Sequence, residues 1–147
     1  MFGEESVEVV TSAERDPFPE TATLTVQIGI LCWQNRSISI SADQLAAVCD
    51  QVLAYLRRDD VSGLLVDNRL ADGTWPVETT DTWGELMADL HRLESPCAII
   101  AASRASMNQL NRHASEREGT DLIEAFPPAE WMDAGEFVVS RTMTETA

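Results

Sequence analysis

Lysine is absent from the sequence: all ten basic residues are arginine, against 25 Asp and Glu, for a formal net charge of -15 at pH 7. A field of that sign repels phosphate backbones and anionic lipid surfaces, which argues against nucleic acid and membrane as partners. Cysteine is scarce. Cys32, Cys49 and Cys97 stand singly in apolar contexts without CxxC spacing, a pattern of buried reduced thiols rather than of a disulfide frame or a zinc site. No apolar run approaches the roughly 18 residues of a membrane span. The opening "MFGEESVEVV" lacks the basic and long apolar regions of a signal peptide. The expectation from these absences is a cytoplasmic protein.

Signals for catalysis are also thin. A Ser or Cys nucleophile needs a His within hydrogen-bond reach. The two histidines, His91 and His113, fall near the ends of predicted helices, away from where a strand-end site would form. There is no Gly-rich phosphate loop, HExxH motif or EF-hand spacing, so neither metal nor nucleotide cofactor is expected. The sequence therefore predicts a protein that is not an enzyme.

What is present is a length of 147 residues and a hydrophobic fraction of 44%, enough for one domain with a sizeable core. Residues 1–147 read as a single domain with its core in about 22–139 and a polar, frayed tail over 140–147. "TATLTVQIGI" alternates, placing Leu24, Val26, Ile28 and Ile30 on one face of a half-buried strand, and "SISIS" alternates again. At Ser41 the period changes. Ser41 and Gln44 fit a capping box, and Leu45, Val48, Cys49, Val52 and Leu56 follow at helical spacing.

"GLLVD" is short and apolar on both faces, the signature of a strand covered on both sides. Thr82 and Glu85 form a second capping-box pattern before Trp83, Leu86, Met87 and Leu90. "CAIIAA" repeats the buried-strand signature, and Ser103 begins a third helix bearing Met107, Leu110 and Ala114. "DLIEAF" and "PPAEWMDAGEFVV" supply a last strand and a last helix. Strands followed by regular α-β alternation define an α/β fold: a mixed sheet of four to five strands with about four helices.

From about Ser37 to Val139 the chain resembles the STAS-like superfamily, specifically the SpoIIAA-like proteins, relatives of anti-sigma-factor antagonists. The resemblance rests on "GLLVDNR" as a strand ending in an acidic turn, "CAIIAASR" as the next strand, and "LIEAFPPAEWMDAGEFV" as a Phe-ended strand leading into a helix. It implies helices largely on one side of the sheet and a regulatory role through protein contact. It also implies a phosphorylated Ser or Thr at a helix start, where Thr79, Thr80 and Thr82 stand in "VETTDTWG". The family's Asp-Ser-Ser-Gly loop is not matched there.

In open α/β sheets ligands gather where strand C-terminal ends meet helix N-termini. Asp67, Asn68 and Arg69 sit at one such end, Ser103 and Arg104 at the next. Trp75 precedes Pro76 in a loop where nothing obliges an aromatic to be buried, which suggests an exposed contact. The candidate binding surface is therefore Asp67, Asn68, Arg69, Trp75, Thr79, Thr80, Thr82, Ser103 and Arg104. The leading expectation is a regulatory or binding module that contacts another protein or a second copy of itself. The alternative is a small anionic or lipid-like ligand held at the strand C-terminal face by Arg69 and Arg104.

Overall fold

A two-residue turn at Ile28-Gly29 interrupts what the alternation presents as one continuous strand. The computed structural model describes residues 7–10, 19, 21–71, 75–104, 107–108 and 122–146. Strands β1 (Val7–Val10), β2 (Ala22–Gln27) and β3 (Ile30–Asn35) form an antiparallel meander, with Gln27 opposite Ile30 across the turn. Both turn residues have positive φ, 52° at Ile28 and 75° at Gly29. Two-residue hairpin loops favour that geometry because its twist matches the strands, and they normally carry Asn-Gly or Asp-Gly. Isoleucine hides the signal, since a β-branched residue is strained at positive φ. The segment 37–41, expected as a strand, is not one.

The strain makes a prediction. Ile28 is 63% exposed, so it contributes little packing. Ile28→Asn should stabilise the protein by about 1 kcal/mol, on the scale of the left-handed penalty that a β-branched residue incurs. Urea unfolding measures it, and an unchanged midpoint would show that the turn is not strained.

Helix α1 (Ala42–Leu56) follows, opened by the expected capping box: the Gln44 amide donates to Ser41 Oγ and the Ser41 amide donates to Gln44 Oε1. Strand β4 (Gly63–Asp67), helix α2 (Thr80–Leu93), strands β5 (Cys97–Ile100) and β6 (Ile123–Phe126) and helix α3 (Trp131–Thr146) complete the described elements. Among the described residues the sheet has six strands in the order β1-β2-β3-β4-β5-β6, with β3 to β6 parallel. The fold is α/β with a mixed sheet, as expected, but it has one or two more strands than the sequence suggested. Of the third predicted helix, Arg104, Met107 and Asn108 are helical and the remainder lies outside the described residues. The supposed polar tail is the end of α3.

Strand order running one way across the sheet, combined with right-handed crossovers, puts α1 and α2 on the same face. Their apolar stripes bury Leu45, Val48, Val52, Leu86, Met87 and Leu90 against Leu31, Trp33, Leu64, Val66, Cys97 and Ile99. Helix α3 follows β6, the last described strand. It packs on the opposite face, where Ala134, Phe137 and Val138 meet Ala98, Ile100 and Phe126. Helices thus occupy both sides of the sheet, not largely one.

Candidate functional site

Strand register sets out the face that α3 only partly covers. One row of side chains runs Thr25, Cys32, Leu65, Ala98, Glu124, and the next runs Thr23, Gln34, Asp67, Ile100, Phe126. The β4 to β6 end of both rows is mainly apolar and takes the helix; the β2 to β3 end is polar and does not. An antiparallel hairpin tolerates water on one face in this way. Between the helix and the uncovered strands lies a groove of about 1110 Å³, lined by Thr23, Thr25, Cys32 and Gln34 on the sheet and by Trp131, Met132 and Val139 on α3. Those three helix residues are exposed although apolar.

Asp67 and Arg69 close one end of this groove. The Arg69 guanidinium donates from Nε to Asp67 Oδ1 at 2.9 Å and from Nη2 to Oδ2 at 2.8 Å, and the Arg69 amide donates to Oδ1 at 3.1 Å. The guanidinium carbon lies 5.4 Å from the centre of the Trp131 ring, a cation-π contact tying the end of β4 to the start of α3. Burial pushes the Asp67 carboxyl up, but the hydrogen bonds and charge of Arg69 outweigh it and hold it below the usual carboxylate range. A carboxyl depressed on folding stabilises above its unfolded value and loses that contribution as pH falls through the folded one. Asp67→Asn should therefore cost about 0.5–1 kcal/mol at neutral pH, the scale of a solvent-screened pair, and nothing in strong acid. A cost that persists at low pH would show that the side chain acts through packing alone.

The other face of the same strand ends holds a tryptophan cluster. Trp33 stacks on Trp83 with ring centres 5.3 Å apart, and Trp75 meets Trp83 edge-on at 5.0 Å. Trp75 is 5% exposed, which corrects the expectation that it is a surface contact: it packs against Trp83 in the first turn of α2. Trp33 Nε1 donates to Asn35 Oδ1 at 2.9 Å, and Asn35 Nδ2 donates to Asn68 Oδ1 at 2.8 Å. An indole N–H can only donate, so it fixes the orientation of both amides. Asn68 Nδ2 is left buried without an acceptor among the described residues.

The remaining predicted residues divide between structural and peripheral positions. Thr79 is wholly buried and its hydroxyl donates to the Pro76 carbonyl at 2.6 Å, so a kinase cannot reach it in the folded chain. Helix α2 begins at Thr80 after a 3-10 turn, which puts Thr82 inside the first turn rather than at the cap. Ser103 and Arg104 follow β5 and do not line the groove. Of the nine candidates only Asp67 and Arg69 do. Sequence reasoning missed Thr23, Thr25, Cys32 and Gln34, although each alternates with a buried residue of β2 or β3.

The thiols differ in access. Cys49 and Cys97 are buried, and burial pushes Cys49 up to about 12 and Cys97 higher still. Cys32 is partly exposed in the groove; burial raises it above the ordinary value of 9.0, a Thr25 hydrogen bond opposes this, and the Asp67 charge adds to it. Among the described residues no three His, Cys, Asp or Glu side chains are grouped to hold a metal ion. No described helix is long and apolar enough to cross a membrane.

No family model and no curated protein matches the chain. Among solved structures it is similar to an enoyl-CoA hydratase from Mycobacterium avium subsp. paratuberculosis K-10, with a TM-score of 0.49 and 10% identity over 87% of this chain and 76% of that one. The resemblance to STAS-like and SpoIIAA-like proteins is therefore withdrawn, and with it the regulatory role it implied: no family model supports it, and helices cover both faces of the sheet where it implied largely one. The exclusion of enzymatic activity is withdrawn as well, since it rested only on the absence of familiar motifs from the sequence. At this identity and TM-score the likeness carries no substrate, residue or mechanism over to this chain.

Proposed function

We propose that the chain is a small-ligand-binding protein whose ligand occupies the groove between α3 and the uncovered half of the sheet. One observation carries the reading: an apolar helix stripe, Trp131, Met132 and Val139, left exposed beside a concave space of about 1110 Å³ with a few polar groups on its floor. Small-molecule sites combine these features, with volumes of roughly 300–1,000 Å³. Cys32 reports on occupancy, since it is the accessible thiol of the three. Decan-1-ol, a neutral apolar probe, should slow alkylation of Cys32 by N-ethylmaleimide several-fold at alkaline pH. A rate unchanged by decan-1-ol and by charged ten-carbon analogues would sink the proposal.

Contact with another protein through the 67–83 loop is the second reading. Burial of Asn68, Trp75 and Thr79 removes three of its anchors, while Leu70 and Val77, at 60% and 88% exposure, favour it. If it holds, Leu70→Ser with Val77→Ser abolishes capture of a partner and leaves Cys32 protection unaltered.

A further inference from the structure

Granted that the groove binds a small ligand, we infer that the ligand is a cationic amphiphile: an apolar chain with an amine or quaternary ammonium head. This reverses the sign expected from Arg69 in the sequence. Arg69 already directs two N–H groups at Asp67, and its charge is matched there. An anion entering the groove would meet a neutralised guanidinium. The other charged side chains of the lining are Glu124, Asp133 and Glu136, all exposed at the rim and none in an ion pair among the described residues. Among the described residues no second arginine lines the space, although Arg36 donates to Thr23 Oγ1 at 2.8 Å and Arg141 lies over the Phe137 ring at its edge.

Trp131 supplies the other half of a cation site. Its ring already accepts one cation, the Arg69 guanidinium, while 48% of the residue remains exposed. Aromatic faces attract ammonium groups through the ring quadrupole, and recognition of quaternary ammonium ligands uses this contact. Asp133 and Glu136 belong to the same helix and to the same lining, and add negative charge to the groove. Met132, Val139, Leu65 and Phe137 offer the apolar wall for the chain of the ligand. The net charge of -15 raises the local concentration of cations around the whole molecule.

A matched series tests the inference: decyltrimethylammonium, decan-1-ol and decanoate, each below its micelle concentration, read by protection of Cys32. The cation should protect at a concentration about tenfold lower than the alcohol, as expected for one cation-π contact plus partly screened carboxylates. Decanoate should be the weakest. The double variant Asp133→Asn with Glu136→Gln should cut the cation-to-alcohol ratio several-fold and leave the alcohol unaffected. The control Asp59→Asn with Glu94→Gln removes two exposed charges that do not line the groove and should keep the ratio. A cation no better than the alcohol overturns the charge assignment while ligand binding stands. So does a control variant that lowers the ratio as far as the groove variant, because the preference would then belong to the whole field. If none of the three probes protects Cys32, the binding reading itself fails.

Discussion

Trp33→Ala is expected to cost about 3–5 kcal/mol, the range for deleting a large aromatic from a packed core. Trp33 has no exposed surface and is the largest fully buried side chain described. It lies on β3, between Leu24 on one neighbouring strand and Val66 on the other. Its removal opens a cavity against Trp83 and takes away the donor to Asn35 Oδ1. Asn35 would then hold a buried acceptor with no partner, which adds a desolvation cost. For a domain stable by about 5–15 kcal/mol, such a loss is a large share of the total. Trp33→Phe separates the two contributions, since it keeps a ring and loses the N–H, and it should cost distinctly less. Urea unfolding of both variants decides the matter. A change below about 1 kcal/mol for Trp33→Ala would mean the cluster is loosely packed and does not anchor β3.

Local periodicity made part of this fold legible. Leu45, Val48, Cys49, Val52 and Leu56 recur at the helical period and are all buried on α1. The runs GLLVD and CAII carry no alternation because β4 and β5 are covered on both faces, and they pair in parallel as expected. What the sequence concealed depends on contacts distant along the chain. Trp75 looks exposed beside Pro76 until Trp83 is brought against it. Helix α3 shows which stripe it buries but not on which side of the sheet, because it links no two of the described strands and the crossover rule cannot be applied to it. The Ile28-Gly29 turn was concealed for a local reason, an unfavourable residue at a left-handed position.

The candidate site was legible to a similar extent. Asp67 and Arg69 stand at the end of an apolar strand, where polar groups attract notice, and they do reach the groove. Their mutual pairing did not show in the sequence, and it changes what they can do. Arg69, unpaired, would favour an anion; bound to Asp67 it becomes a brace between β4 and Trp131. The groove floor gave a weaker signal. Thr23, Thr25, Cys32 and Gln34 resemble any solvent-facing half of a strand, and only the placement of α3 turns that face into one wall of a concavity.

Phe137→Ala should separate the helix from the sheet, with an expected cost of about 3 kcal/mol, the lower end for a buried aromatic. The side chain packs edge-on against Phe126 with ring centres 5.6 Å apart, and the Arg141 guanidinium lies over its ring. The cluster it serves is small, Ala98, Ile100, Phe126, Ala134 and Val138 besides itself, and lies on the face opposite the main core. A helix held by so small a cluster can leave without the sheet unfolding, because opening free energies differ across a structure. Amide exchange should therefore accelerate across 134–140 while 64–66 and 97–100 stay protected. The groove loses one wall in the same event. Alkylation of Cys32 should rise several-fold, and protection by decan-1-ol should disappear even where the sheet remains folded. Uniform acceleration of exchange in helix and strands would show a single cooperative unit. If the helix amides open while Cys32 and its protection are unaffected, α3 is not the wall of the binding site, and the ligand belongs elsewhere on the sheet.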